Sequence, residues 1–120
     1  MSEWAKLRYV RDIYKIYLAF LKQEKDVEVV LSPAFVLESV EVFKTARRDY
    51  NRFTKLITEL RRPRQEDPKQ WTFKALKEID IGEAERKIRL ARANALHLMI
   101  EASSIMESKM MEYRRRVALK

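Results

Sequence analysis

Residues 21–43 read LKQEKDVEVVLSPAFVLESVEVF. Leu21 ends an apolar stripe, and Lys22, Glu24, Lys25 and Asp26 make a charged helix tip. A short apolar connector follows, Val27, Val29, Val30 and Leu31, and Ser32-Pro33 then restarts the helix. The Ser32 hydroxyl can accept a hydrogen bond from a first-turn N–H, and Pro33 has no N–H to lose there. Phe35, Val36, Val40 and Phe43 continue at helical spacing. The stretch therefore reads as helix, corner, helix, with a connector that must itself be covered. Such a unit belongs to a packing or docking module, not to a catalytic loop.

Working outward, Leu7, Val10, Tyr14, Tyr17 and Leu21 recur every three to four residues, which predicts a first helix over about 3–25. Downstream, Val36, Val40, Phe43, Tyr50, Phe53, Ile57 and Leu60 hold a near-heptad order and predict a second helix from Pro33 to about Arg61. Residues 62–67 combine charges with Pro63 and lack periodicity, so a flexible loop is expected there. Asp67-Pro68 reads as an N-cap and first turn for a short helix through Trp71, Phe73, Ala75 and Leu76. Asp80 and Glu83 have capping-box spacing, and a last helix is expected over about 82–117. Its stripe includes Ile88, Ala91, Ala95, Leu98, Ala102 and Ile105, with an offset row of Leu96, Met99, Met106, Met110, Tyr113 and Val117. Two rows predict burial on a broad face. With one glycine and three prolines there is little material for tight turns. The expected fold is all-α, a compact bundle of three long helices plus one short helix, formed as one domain over residues 1–120.

The aromatic loading of the first two helices and the methionine row of the last exceed what one small core requires. Tyr14, Tyr17, Met99, Met106, Met110 and Tyr113 are accordingly the expected subunit-interface residues, against the plainer reading that they line the core.

Hydrophobic residues make up 47% of the chain, enough to drive folding despite 37% charged residues. With no cysteine, a disulfide framework, a thiol nucleophile and a Cys-based metal site are excluded. This suits a reducing cytoplasm. No apolar run approaches the roughly 20 residues of a membrane span, and the N-terminus lacks the apolar core of a signal peptide. Many charges, few amides and short connectors are in the style of thermophile proteins. His97 is the single histidine, and Glu101 one turn on is its nearest sequence partner. That pair makes neither a metal centre nor an activated nucleophile. Gly82 stands alone, so there is no glycine-rich phosphate cradle. Neither catalytic machinery nor a cofactor is expected.

The formal net charge is +8. Basic residues gather at Arg47, Arg48, Arg52 and Lys55, and again at Arg61, Arg62 and Arg64. Both groups are candidates for contact with a nucleic-acid backbone or an acidic partner, against the plainer reading of a solvated helix face. Arg114 to Arg116 lie where a helix C-terminus favours cations without any ligand.

Leu21 to Lys25, the apolar connector from Val27 to Leu31, and Pro33-Ala34-Phe35 leading into a long helix resemble the helical domain of the GINS family of DNA-replication proteins. The long Arg- and Leu-bearing C-terminal segment from Ala84 onward is similar too. The resemblance covers about twenty residues in detail. It implies a non-enzymatic scaffold, assembled with another GINS subunit or with itself, that bridges the replicative helicase and a Cdc45/RecJ-like partner. Most family members add a small β-rich domain, for which nothing here reads as strands, so a helical domain of a longer protein or a short form is implied. The location would be cytoplasmic, beside the nucleoid in an archaeon, or nuclear in a eukaryote. The alternative is a small basic helical nucleic-acid-binding subunit, for example of an RNA-guided defence complex. Weak, sequence-independent DNA contact is compatible with either.

Overall fold

The computed structural model describes residues 2–61 and 78–119. Among them are four helices: α1 (Glu3–Gln23), α2 (Val27–Val30), α3 (Pro33–Arg61) and α4 (Glu78–Ala118). Three are long and one is short, and no strand occurs among the described residues. The short helix is not the one expected. The expected segment from Asp67 through Leu76 and the expected loop at 62–67 lie outside the described residues. The short helix among the described residues is the apolar connector, wound into a single turn. Its carbonyl–amide bonds run from Val30 N to Asp26 O at 3.0 Å and from Leu31 N to Val27 O at 2.8 Å. That turn puts Val27 and Leu31 on one side, both 2% exposed, and leaves Val29 in solvent. The cover predicted for the connector therefore falls fully on Val27 and Leu31, partly on Val30, and not on Val29.

The local chemistry explains the helix ends. The Ser2 side chain accepts from Ala5 N–H at 3.1 Å and starts α1. Glu24 N–H closes it on the Phe20 carbonyl, two residues before the expected end. Ser32 Oγ accepts from Phe35 N–H at 3.2 Å, so α3 opens as read from Ser32-Pro33. α4 begins at Glu78, which places Asp80 and Gly82 inside the helix. The capping box expected at Asp80 and Glu83 is thus replaced by continuous helix. Gly82 sits on an open face where a methyl group would meet nothing within 4 Å, so only its own backbone entropy opposes the helix there.

Side-chain pairs give the directions. Tyr14 stacks on Phe43 with centroids 4.3 Å apart, Tyr17 Oη donates to Val36 O at 2.9 Å, and Tyr50 Oη donates to Glu3 at 2.5 Å. Later residues of α1 thus meet earlier residues of α3, which makes the two antiparallel. Phe20 meets the edge of Tyr113 at 5.3 Å, and Glu3 lies 3.9 Å from Arg92, so α1 runs parallel to α4. Arg61 to Glu85 at 2.7 Å and Lys109 to Ser39 at 3.4 Å set α3 antiparallel to α4. The bundle measures 68 × 26 × 18 Å. Its length is that of α4, about 60 Å for 41 residues.

The core runs from the corner to the level of Tyr50 and Ala95, and all six expected interface residues belong to it. Tyr17 and Met106 are wholly buried, Met99 is 1% exposed, and Tyr14, Met110 and Tyr113 remain below a tenth. A subunit interface on those residues is therefore corrected: their surface is already consumed within one chain. Leu98 and Ile105, placed on the buried stripe from sequence, are instead 45% and 47% exposed. Past Tyr50 and Arg92, α3 and α4 extend beyond the start of α1, with Ile57, Leu60 and Ile81 buried outside the main cluster.

Candidate docking groove

On both long antiparallel helices, an exposed apolar pair sits one residue ahead of the buried seam. In α3 the seam is Val36, Phe43 and Tyr50, and the exposed pair is Phe35 and Val42. In α4 the seam is Met99, Met106 and Tyr113, and the exposed pair is Leu98 and Ile105. A seven-residue step is nearly two full turns, so each pair forms a row about 10 Å long on the flank of its helix. The two rows face each other across a groove of about 460 Å³, whose lining also includes Ser39, Glu38, Glu101, Ala102 and Lys109.

Lys109 distinguishes this groove from an ordinary seam. The residue is 1% exposed. Its Nζ lies 4.2 Å from the centroid of the Phe35 ring and donates to Ser39 Oγ at 3.4 Å. Among the described residues no carboxylate comes within ion-pair distance of it. Burial pushes the Lys109 pKa below the usual lysine value, and the charge of Glu38 opposes that shift without cancelling it. The ammonium is held by a π face and one long hydrogen bond, although it has three protons to donate.

The other expected contact residues lie outside the groove. Arg47 packs its guanidinium over Tyr14 at 5.1 Å and Phe43 at 5.8 Å, against the core. Arg52 pairs with Asp49 at 3.5 Å and lies over Phe53, and Arg61 pairs with Glu85. Arg48 and Lys55 remain in solvent, and Arg62 and Arg64 lie outside the described residues. Arg48, Arg52 and Lys55 stand four and three residues apart on one exposed face of α3, with Arg47 turned from them toward Tyr14 and Phe43. His97 is exposed and contacts Glu101 at 3.0 Å. Among the described residues no three His, Cys, Asp or Glu side chains gather as metal ligands, and no helix is long and apolar enough to cross a membrane.

A second polar cluster locks the N-terminus of α1. Glu3 accepts from Tyr50 and sits beside Arg92, whose guanidinium lies 5.7 Å from the Tyr50 ring centre. Burial first, and then Glu3, push the Tyr50 pKa up to about 12. All three members are engaged with one another, so the cluster ties helices together.

Sequence reasoning misses the groove because helical spacing assigns Phe35, Leu98 and Ile105 to buried stripes. A usable signal is present: Phe35-Glu38-Val42 and Leu98-Glu101-Ile105 share one apolar–acid–apolar spacing on two different helices. Compared with family models, curated proteins and solved structures, the chain matches none.

Proposed function

We propose that this chain is a non-enzymatic scaffold, a helical subunit of a GINS-like complex that bridges the replicative helicase and a Cdc45/RecJ-like partner. The observation that supports a scaffold is the groove between α3 and α4: a mainly apolar channel with Glu38, Glu101 and Lys109 in its lining, walled by two antiparallel helices and left open on one side. A third helix, α1, already fills the opposite side of the same pair. Filling the open side would complete a four-helix arrangement, the common way such faces are covered. The GINS assignment itself rests on the residues from Leu21 to Phe35. The basic nucleic-acid-binding alternative rests on the exposed row of Arg48, Arg52 and Lys55 along α3, for which no base-reading element is present among the described residues.

Reconstitution tests the reading. Purified chain, an archaeal replicative helicase and a RecJ-like protein are mixed and separated by size exclusion with light scattering. A ternary species of defined mass is the expected result. Failure of the chain to shift either protein at tens of micromolar would remove the replication role.

A further inference from the structure

We propose that the α3/α4 groove receives one amphipathic helix of a partner protein, and that this helix places a carboxylate on Lys109. The inference rests on the scaffold reading and names the chemistry of the partner at that site. Three observations carry it.

First, the walls match a helix in shape. Phe35 and Val42 on one side and Leu98 and Ile105 on the other are each seven residues apart, the repeat that receives a helix with apolar residues at heptad spacing. Second, the floor carries an ammonium that no carboxylate meets in an ion pair, with Glu38 acting on it only at longer range and Glu101 on the far wall. Lys109 is 1% exposed, its nearest acceptor is a hydroxyl at 3.4 Å, and no described carboxylate pairs with it. A buried ammonium in a mainly apolar groove is unfavourable unless an anion meets it at contact distance, and a carboxylate on an entering helix supplies one with a charge-assisted hydrogen bond. Third, the occupant is a different protein. Two copies of a chain carrying +8 repel each other, and two concave grooves brought face to face leave both channels unfilled. A convex helix with an acidic residue in its apolar stripe fits both the shape and the charge.

The test is a displayed library of amphipathic helices, each about eighteen residues or five turns long, with stripe positions varied among Leu, Ile, Met, Glu, Gln and Lys. Panning uses the intact chain as bait and Ile105→Asp as the counter-selecting bait. The expected binders carry a single Glu in mid-stripe. Changing that Glu to Gln should weaken binding about tenfold or more, since a hydrogen bond to a charged group is lost. With Lys109→Met as bait, the Glu helix should lose its advantage and bind no better than the Gln helix, while a helix with Leu at that position gains. Circular dichroism of both bait variants checks that they fold. Recovery of no binder that discriminates against Ile105→Asp would overturn the groove as a docking site. Binders without acid enrichment, or a Glu preference that survives Lys109→Met, would overturn the role of Lys109. Self-association that Ile105→Asp abolishes would replace the partner by a second copy. Should the library fail while helicase binding persists, only the groove assignment falls. Should acidic helices bind while the replication proteins do not, the replication role alone is lost.

Discussion

Replacing Lys109 by methionine should make the isolated chain more stable. Methionine has nearly the length and volume of the lysine stem, so the walls formed by Phe35, Ala102 and Ile105 need not move. Two favourable contacts are lost: the cation over Phe35 at 4.2 Å, worth about 1–2 kcal/mol when desolvated, and a long hydrogen bond to Ser39, worth about 0.5 kcal/mol. Ser39 can satisfy its hydroxyl by turning to the carbonyl four residues back. Against these stands the removal of an ammonium held 1% exposed, whose desolvation is worth several kcal/mol. The net gain is about 1–2 kcal/mol, a rise in melting temperature of about 3–6 °C for a domain of this size. The sign can be checked by pH. Burial lowers the Lys109 pKa, so the unfolded chain holds that proton more tightly than the folded one. The penalty is fully present below the folded pKa and disappears as pH rises toward the lysine value of 10.5, so wild-type stability gains on the variant across that window. Tyrosine ionisations overlap the same range, but they are common to both proteins and cancel in the difference. Urea unfolding of both, followed by circular dichroism from neutral pH up to the lysine value of 10.5, measures the gap. A variant less stable than wild type by more than about 1 kcal/mol, or a gap independent of pH, would refute the reasoning. Either result would mean that the ammonium is solvated and the groove floor wet.

Phe43→Ala should cost about 3–5 kcal/mol, because a wholly buried ring stacked on Tyr14 is deleted, and chemical denaturation reads this directly. Phe53→Ala should cost less, about 1–2 kcal/mol, since that ring is only half-buried beneath Arg52. Absorbance titration of the tyrosines should show one hydroxyl ionising near 12, and Glu3→Gln should bring it down without restoring the ordinary value, because burial is the larger cause. The folded state keeps that proton longer than the unfolded one, so its contribution is present below pH 10 and is lost as pH rises toward 12. Arg47→Glu should destabilise the bundle by about 1 kcal/mol through the lost contact with Tyr14 and Phe43, whereas Arg48→Glu with Lys55→Glu should leave the melting temperature unchanged and flatten the salt dependence of any DNA binding.

The long helices are legible in the sequence because their signals are local. Ser32-Pro33 sets the start of α3, and the heptad order from Val36 to Leu60 carries it to Arg61. The corner is harder to read because its three valines have poor helix propensity, yet burying Val27 and Leu31 one turn apart decides the matter. Gly82 suggests a boundary, although an isolated glycine on an exposed face only weakens a helix. The site is less legible still. Hydrophobic periodicity marks which positions leave water, but not whether the covering surface comes from the same chain. Tyr17 and Met106 are therefore indistinguishable in sequence from interface residues, although both are wholly covered by their own helices. Lys109 offers no sequence signal, since its burial follows from the position of Phe35 on a different helix, far away along the chain.

The unequal helix lengths matter for how the molecule opens. α1 ends its contacts at Glu3, level with Tyr50 and Arg92, while α3 and α4 run on past that level. Protection against hydrogen exchange should therefore fall along the long axis, high for amides near Phe43 and Met106 and lower toward Arg61 and Glu83. The bundle would open from that far tip as a separate cooperative unit, with the Tyr50–Glu3–Arg92 cluster as the seam at which opening stops. Thermal excursions would then begin far from the α3/α4 groove, leaving its floor and both walls in place while the tip breathes.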